Sequence, residues 1–273
     1  MRVLIDGIAV PEGEAGVSAL DWGLQRGFGA FEVIRAYGGR PFRVGPHLGR
    51  LQRSLAALEI PMPDRDRLEE WVAQVAASGG DCQVRVMVTG GGRDPLLDVP
   101  SRTVVLWEPV PEFPQPFRLL PMAAPWHPAG IPWALSGVKW LSYAANMAST
   151  DAAKRAGFDD ALLLSSDGLV LEGPTFTVAW ISGGTIETPS LELGLLASIT
   201  RDVLMECAAR LEIPSAHGVF PLERLLTADE VLALSTVKEV TPVGAVGDTT
   251  FDPGPITAKL GGVFHDIVVE ETG

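Results

Sequence analysis

The amino-acid sequence predicts an α+β fold divided into two domains. Strand and helix patterns alternate in both halves of the chain, and a proline-rich stretch from Pro111 to Pro132 separates the halves. The 273 residues, 47% of them hydrophobic, are enough to bury two medium-sized cores. We therefore predict a small α/β domain at 1–115, an interdomain linker at 116–132 and a larger domain at 133–273.

The first half is predicted to contain two initial strands, a hairpin, two helices and two further strands. The segment "GAFEVIRAYGGRPF" is rich in residues that favour strands, and Gly38-Gly39 within it indicates a hairpin turn. In "GPHLGRLQRSLAALEI" the leucines recur at a helical spacing, and "RDRLEEWVAQVAAS" is a second amphipathic segment. The initial "RVLIDG" and "IAVPE", and the later "CQVRVMVTGG" and "RTVVLWEPV", predict strands.

The linker and the second half are predicted in the same way. The proline-rich stretch contains seven prolines, which favour an irregular crossover with room for a short edge strand at Phe117–Leu120. Beyond it, "SYAANMASTDAAKRAGF" and "SITRDVLMECAARLEI" predict helices, the second with Ser198 or Thr200 as its cap. Between them, "DALLLSSDGLVLEGPTFTVAWISGGTIETP" predicts three strands separated by Asp-Gly and Gly-Gly turns. The later "TADEVLALSTVKEVTPVGAVGD" predicts a helix and two strands.

Charge and cysteine usage exclude several classes of protein. The formal net charge of −13 argues against binding to nucleic acids or anionic membrane surfaces, since both require clustered Lys and Arg. The N-terminal sequence lacks the pattern of a signal peptide, and no apolar run reaches the roughly 18 residues of a membrane-spanning helix. Cys82 and Cys207 are isolated and the four histidines lie far apart. We therefore expect a cytoplasmic location and no structural zinc site, and nothing in the sequence indicates another metal.

Lys139 occupies an unusual position for a lysine. The chain has only four lysines against seventeen arginines, and Lys139 lies between Val138 and Trp140 in the apolar segment "LSGVKWLSYAAN". Desolvation lowers the pKa of an amine, and the neutral amine is the nucleophile in Schiff-base chemistry. The alternative is that the side chain extends its charged end into solvent, and the local sequence alone favours this ordinary interpretation.

Glu172 ends the apolar run of "LVLEGPT", where Gly173-Pro174 must bend the chain. A carboxylate at such a bend suits a buried cation, for example the protonated nitrogen of a pyridine ring. A solvated carboxylate at the end of a strand is the commoner situation. Both interpretations stay open at this point.

Two clusters of small polar residues are candidates for binding phosphate. Ser198, Ile199 and Thr200 open a predicted helix, where backbone N–H groups and hydroxyls attract anions. Ser235 and Thr236 lie between an apolar strand and a charged turn. Ordinary helix capping and ordinary turn hydroxyls explain these clusters equally well.

An arginine completes the set of candidates. His47 and Arg50 in "HLGRL" are three residues apart and share a helix face. Arginine can bind phosphate bidentately, although most such arginines are surface charges. Each signal is weak alone, but an amine, a carboxylate, an arginine and two hydroxyl clusters are together what pyridoxal 5′-phosphate requires.

Over nearly its whole length the chain resembles the class IV (fold type IV) pyridoxal-phosphate enzymes, which include branched-chain aminotransferases, D-amino acid aminotransferases and 4-amino-4-deoxychorismate lyases. Four segments carry the resemblance in the family's order. "GFGAFEVIRAYGGRPFRVGPHLGRLQRS" is similar to the family's "GxGxFExxR…G…F…HLxRL", and "VKWLSYAANMASTDAAKRAGFDDALLLSSDGLVLEGPTFTV" to its lysine-to-glutamate block. "LLASITRDVL" resembles "LPGITR", and "STVKEVTPV" resembles "T..E.TPV". The resemblance implies a larger C-terminal domain with a barrel-like sheet, a small-molecule substrate and a homodimer.

The resemblance also implies roles for the candidate residues. Lys139 would bond covalently to the cofactor and then transfer the substrate's proton, with Lys238 as a disfavoured competitor. Glu172 would pair with the pyridine nitrogen and keep it protonated, and Tyr143 would hydrogen-bond the phenolic oxygen of the cofactor. The implied phosphate-binding residues are Arg50, Ser198, Ile199, Thr200, Ser235 and Thr236.

The chain departs from the family pattern at three places. Ala197-Ser198 replaces the usual Pro-Gly before "ITR", Phe28 replaces a common aspartate, and Thr177 replaces a common asparagine. None of these changes removes a group that the cofactor needs.

Two reactions compete. The block from Lys139 to Thr175 is most similar to aminodeoxychorismate lyases, which implies release of pyruvate and p-aminobenzoate for folate synthesis. The alternative is an aminotransferase acting between a 2-oxo acid and an amino acid (D-amino acid or branched-chain) or an (R)-amine. Expected substrate contacts are Phe31, Arg93 and Thr175, with Arg93 either binding the carboxylate or remaining a solvated loop residue. The complete set of cofactor-binding residues disfavours a third, non-enzymatic hypothesis.

Overall fold

Two β-sheets and seven α-helices make up the described part of the computed structural model, which comprises residues 2–92, 96 and 98–273. One sheet has six strands and the other has eight. This mixture of helices and sheets confirms the predicted α+β class. In these residues no helix has both the length and the apolar character needed to cross a membrane.

Contacts within the chain group its residues into two units. Unit 1 extends to Pro111 and also includes Val138–Tyr143 and Glu271–Gly273, whereas unit 2 comprises Glu112–Gly137 and Ala144–Glu270. The domain limits predicted from the sequence, 1–115 and 133–273 with a linker between them, remain a proposal. The segment that carries Lys139 packs within unit 1, although that proposal assigns it to the second domain.

Unit 1 is an antiparallel sheet against which helices pack. The strand order is β2-β1-β6-β5-β3-β4. In chain order its elements are β1 (Val3–Ile5), β2 (Ile8–Ala9), α1 (Trp22–Arg26), β3 (Gly29–Tyr37), β4 (Arg40–Pro41), α2 (Val44–Ala57), α3 (Arg65–Gly79), β5 (Cys82–Thr89) and β6 (Thr103–Pro109).

The predicted hairpin and the first predicted helix both form in unit 1. Gly38 and Gly39 turn the chain between β3 and β4 with φ values of 55° and 84°, a backbone conformation that glycine adopts without steric cost. In α2 the side chains of Leu48, Leu51 and Leu55 are fully buried. The helical spacing of the leucines therefore serves to bury one face of α2 against the sheet.

Unit 2 contains the larger sheet, with the strand order β11-β10-β9-β12-β13-β7-β8 and with β14 paired to β13. Trp180 is a fully buried core residue of this unit. In chain order the elements are β7 (Phe117–Ala123), α4 (Ala144–Arg155), β8 (Asp160–Leu164), β9 (Thr177–Ser182), β10 (Thr185–Pro189), α5 (Ile199–Arg210), β11 (Ser215–Gly218), α6 (Leu222–Leu226), β12 (Glu230–Ser235), β13 (Glu239–Val246), β14 (Thr249–Thr250) and α7 (Pro255–Thr272).

The strand predicted at Phe117–Leu120 as a short edge strand is longer and is not at an edge. It forms β7 and pairs in parallel with both β13 and β8, so part of the predicted linker belongs to the sheet. Pairing with β13 ends at Leu119, whereas pairing with β8 continues to Ala123. Pro121 therefore lies beyond the end of one ladder, where the missing N–H costs no hydrogen bond.

Two further differences concern the second half. The residues after the Asp-Gly turn form only isolated bridges, and β9 starts at Thr177 because Gly173-Pro174 interrupts the strand. No element was predicted for the last residues, which form α7. A helical pattern was nevertheless present there, since Leu260, Phe264 and Ile267 follow a helical spacing and are buried.

Candidate active site

The segment that carries Lys139 is fixed on two sides within unit 1. The N–H of Phe31 donates to the carbonyl of Lys139 at 3.0 Å, and the N–H of Leu141 donates to the carbonyl of Gly29 at 2.9 Å. On the other side, the N–H of Lys139 donates to the Ser54 hydroxyl on α2 at 3.1 Å. The backbone of the lysine is thus held between β3 and α2.

The Lys139 side chain lies against aromatic rings. Its Nζ atom is 4.5 Å from the ring centroid of Phe31 and 5.7 Å from that of Tyr143. These two rings pack edge to face, with their centroids 5.2 Å apart. The guanidinium of Arg85 on β5 lies 5.9 Å from the Phe31 centroid. Half-buried Lys139 thus occupies an aromatic corner that also contains a second cation.

Arg50 is not a surface charge. Its Nε and Nη2 atoms donate to the two carboxylate oxygens of Glu32, each at 2.7 Å. The Nδ1 atom of His47 lies 2.8 Å from the same carboxylate. All three side chains are buried, with relative exposures of 5% for Arg50, 0% for Glu32 and 1% for His47.

Helix α2 supplies this polar cluster by its spacing. His47, Arg50 and Ser54 are three and then four residues apart, so they share one face of the helix. That face points toward β3. Glu32 of β3 binds His47 and Arg50, and the hydroxyl of Ser54 accepts a hydrogen bond from the backbone N–H of Lys139. One helix therefore positions the arginine, the histidine and the backbone of Lys139.

The charges in the cluster are mutually dependent. Burial raises the pKa of Glu32, but the charge and hydrogen bonds of Arg50, together with those of His47, outweigh burial and lower that pKa to about 2. Burial lowers the pKa of the His47 imidazole; Glu32 opposes this effect, and the charges of Arg50 and Lys139 reinforce it. At neutral pH the cluster therefore contains an ionised Glu32, a cationic Arg50 and a neutral His47.

In unit 2, Ser198 is the N-cap of α5, which decides between the two predicted caps. Its hydroxyl accepts the N–H of Arg201 at 3.2 Å. Ile199 and Thr200 follow, both buried, and in the described part of the chain their backbone N–H groups make no hydrogen bond. These first N–H groups of a helix suit an anion.

The sheet register brings the other two candidate segments of unit 2 to one end of neighbouring strands. Leu234 pairs with Thr177 in the antiparallel ladder of β12 and β9. Ser235 at the end of β12 therefore lies beside the chain that leads from Glu172 into β9. The Ser235 hydroxyl accepts the N–H of Lys238 at 3.1 Å, which closes the turn that contains Thr236.

Glu172 is half-buried and is surrounded by nitrogen groups of unit 2. The Nε2 atom of His127 is 4.0 Å from Glu172 Oε1, and the charge of Glu172 is among those that act on buried Arg201. The N–H of Ala129 donates to Nδ1 of His127 at 3.2 Å, so the neutral imidazole carries its proton on Nε2. Burial lowers the pKa of His127, which keeps it neutral. The Glu172 carboxylate can accept a hydrogen bond from a ring N–H.

The remaining residues predicted for the site are Thr175, Arg93 and the competing lysine Lys238. Thr175 is exposed, and Arg93 lies outside the described residues. Lys238, the competitor for the Schiff base, is only 8% exposed, and its Nζ atom lies against the rings of Phe113, Phe117 and Phe176. Lys238 is thus enclosed in the aromatic core of unit 2. Among the described residues, no group of three metal-binding side chains occurs.

Glu32, Arg85 and His127 were not predicted from the sequence as site residues, and His47 had no predicted role. The signal for Glu32 was an acidic residue in a strand whose neighbours are all apolar, where only a buried partner makes the charge tolerable. Arg85 and His127 carried no comparable signal, because their importance depends on which segment lies beside them.

Known proteins that are similar to this chain include aminotransferases and a lyase. The family model described as amino-transferase class IV matches residues 29–246. A putative branched-chain-amino-acid aminotransferase of Methanocaldococcus jannaschii is 30% identical over 98% of this chain and 96% of its own length. The aminodeoxychorismate lyase of Bacillus subtilis is 28% identical, over 94% of this chain and 92% of its own.

A solved structure shows the same fold. The fold IV transaminase of Curtobacterium pusillum superposes with a TM-score of 0.88, covers 97% of this chain and 93% of its own, and is 28% identical in sequence. The match extends over both units, and it agrees with the mixed sheets and helices described above.

Proposed function

From the premise that the chain belongs to the class IV aminotransferase family, we propose that it is an aminodeoxychorismate lyase, which converts 4-amino-4-deoxychorismate into p-aminobenzoate and pyruvate. The family establishes the coarser statement: the chain is a pyridoxal-phosphate-dependent enzyme that acts on a small molecule. The choice of reaction within the family is the proposal.

The residues of each unit fit this cofactor. Lys139 offers an amine against aromatic rings, and Glu172 offers a half-buried carboxylate whose charge acts on Arg201. The start of α5 has buried N–H groups without a partner among the described residues, as a phosphate group requires. We assign the phosphate to Arg50, Ser198, Ile199, Thr200, Ser235 and Thr236, and the phenolic oxygen to Tyr143.

When bound, the cofactor supplies an electron sink for the carbon atom that carries the amine. The chain's own residues do the rest. Lys139 holds the cofactor, releases it to the substrate amine and then removes the proton from the amine-bearing carbon. Glu172 would hold the ring N–H of the cofactor by accepting its hydrogen bond, since a carboxylate partner favours the protonated form of a ring nitrogen.

The aromatic corner around Lys139 supports a ring-bearing substrate. A flat ring packs favourably against the edge-to-face pair of Phe31 and Tyr143, and aminodeoxychorismate carries its amine on an unsaturated ring. This pair of rings beside the lysine amine is the observation that carries the lyase proposal. Phe31 and Thr175 remain proposed substrate contacts.

We propose Arg85, in addition to Arg93, as a candidate for binding the substrate carboxylate. Its Nε and Nη2 atoms donate to Glu108, at 3.0 and 2.9 Å, which fixes the guanidinium beside Phe31. The Nη1 group makes no hydrogen bond to any residue that the structure describes. It is therefore available to a carboxylate in the same corner as the Lys139 amine.

A second candidate is an aminotransferase that moves an amino group between an amino acid (D-amino acid or branched-chain) or an (R)-amine and a 2-oxo acid. The 30% identity to the putative branched-chain aminotransferase supports it. The same Lys139 and Glu172 would serve both reactions, since they share the removal of one proton.

One assay separates the two candidates. The holoenzyme is incubated with D-alanine, L-leucine, L-glutamate and an (R)-amine while conversion of the cofactor to its pyridoxamine form is followed by absorbance. In parallel, p-aminobenzoate release from aminodeoxychorismate is measured. We expect p-aminobenzoate release and little conversion. Fast conversion by an amino acid without p-aminobenzoate release would replace the lyase with the aminotransferase.

Changing Arg85 to glutamine is expected to raise KM for carboxylate-bearing substrates about 10- to 100-fold, which corresponds to one charged hydrogen bond. Turnover of a carboxylate-free (R)-amine, where detectable, should not change. Arg102→Gln is the matched control, because the guanidinium of Arg102 forms an ion pair with Asp6. An unchanged KM in Arg85→Gln would exclude Arg85 as the carboxylate contact.

Assembly and location follow from the family resemblance. We propose a homodimer in the cytoplasm that takes part in folate synthesis. Sedimentation of the purified holoenzyme tests the dimer, and a uniform monomer would contradict it.

A further inference from the structure

One ring nitrogen of His47 has no protein partner among the described residues. Its Nδ1 atom donates to Glu32, whose low pKa keeps the carboxylate ionised. Its Nε2 atom makes no hydrogen bond to any of the residues that the structure describes, although the side chain is only about 2% exposed. Among the described residues, the polar side-chain atoms that are both sealed from solvent and without a partner are Trp107 Nε1 and Ser182 Oγ. Nε2 of His47 therefore keeps access to solvent and is open to a ligand.

The surroundings of His47 indicate what that ligand would be. Arg50 lies one helical turn away on the same face of α2, and both residues bind the carboxylate of Glu32. The charge of Lys139 also acts on His47 from the neighbouring segment. The groups that face His47 are therefore Glu32 from β3, Arg50 from α2 and Lys139, which together carry a net positive charge. An anion is the ligand that this cluster favours.

We propose that His47 takes up a proton when a phosphate group binds beside Arg50, and that its Nε2–H then donates to that phosphate. The proposal rests on the proposed function, because it takes the phosphate of the cofactor as the anion at Arg50. Glu32 is the positioning residue, since its carboxylate fixes both Arg50 and the Nδ1 side of His47.

The sign of the coupling follows from the charges. Without an anion, burial and two neighbouring cations keep the pKa of His47 below its ordinary value of 6.5 and the imidazole neutral. A phosphate dianion brings two negative charges to the same place and raises that pKa. Between the lower and the raised pKa, binding must take up a proton, and affinity must fall as the pH rises through the raised value.

The test is calorimetric titration of the cofactor-free full chain with pyridoxine 5′-phosphate, which carries the phosphate but lacks the aldehyde that would react with Lys139. Titrations at pH 7.5 in buffers with different ionisation enthalpies give the number of protons taken up. His47→Asn is the informative variant, because its side-chain N–H₂ can replace Nδ1 toward Glu32 while Nε2 is lost. His265→Asn is the control, since His265 is exposed on α7.

We expect the native chain and His265→Asn to take up more protons than His47→Asn, by about half a proton or more. Affinity should fall about tenfold in His47→Asn, as expected for one charged hydrogen bond. Titration of the ligand's own ring is common to all three proteins and cancels in the difference. Circular dichroism and thermal unfolding establish that His47→Asn is folded.

Equal proton uptake in the native chain and in folded His47→Asn would overturn the inference and leave the proposed function intact. Absence of binding of both pyridoxine 5′-phosphate and pyridoxal 5′-phosphate to the native chain would overturn the proposed function, and this inference with it. If His47→Asn does not fold, His47→Gln is measured under the same two criteria.

Discussion

Replacing Lys139 by alanine is expected to abolish covalent attachment of the cofactor and to lower kcat by at least ~10³-fold. Without the amine, no group of the aromatic corner can bond to the cofactor aldehyde or remove the substrate's proton. Phe31 and Tyr143 have no titratable group suited to that task at neutral pH. The measurement is the absorbance of the lysine-linked cofactor near visible wavelengths, together with turnover under saturating substrate.

Two controls make this result specific to the position. Lys154→Ala removes an exposed lysine on α4 and should change neither absorbance nor turnover. Lys139→Ala with added borohydride should trap no cofactor on Lys238, because three phenylalanine rings enclose that amine. Persistent lysine-linked absorbance in Lys139→Ala would reassign the Schiff base to another lysine.

Lys238 is expected to make the stability of the chain rise with pH between about 8 and 10.5. Burial lowers the pKa of this amine to about 8 from 10.5, although the charge of Asp160 opposes the shift. Below pH 8 the amine is protonated in both the folded and the unfolded chain, and the cost of burying its charge is fully present. Above pH 8 the folded chain loses the proton first, so the cost disappears as the pH approaches 10.5. The pKa difference corresponds to about 3 kcal/mol at most.

The measurement compares denaturant unfolding of the native chain with that of Lys238→Met at pH 7 and pH 10. Methionine fits a similar volume without a charge, so its stability lacks this pH dependence. We expect the native chain to gain stability relative to Lys238→Met as the pH rises. Lys259→Met, at an exposed position on α7, should show no such relative gain. No relative gain of stability between pH 7 and pH 10 would mean that the amine keeps an ordinary pKa.

The sequence predicted those features that depend on local spacing. The leucines of α2 and the Gly38-Gly39 turn predict their elements correctly, because helix and hairpin formation is decided within a few residues. Ser198 and Thr200 were both possible caps, and the backbone geometry selects Ser198. The family could also be recognised from the sequence, since four motifs in a fixed order are specific even when each motif alone is weak.

Features that depend on segments distant in sequence could not be predicted. β7 is internal rather than an edge strand because β13 and β8 pair with it, and only their register explains how Pro121 is tolerated. Lys238 resembled Lys139 in its local sequence, yet the rings of Phe113, Phe117 and Phe176, all more than 60 residues away in the chain, lie against it. Desolvation is a property of the folded surroundings, which local sequence does not specify.

The same division applies to the candidate site. Residue types and their order along the chain were enough to predict Lys139, Glu172 and Arg50 as members of a pyridoxal-phosphate site. The pairing of Arg50 and His47 with Glu32, and the contact of Lys139 with Phe31 and Tyr143, became visible in the folded chain. Charge, pKa and hydrogen-bond partners depend on distances of a few ångströms between residues far apart in the sequence, and local patterns do not encode those distances.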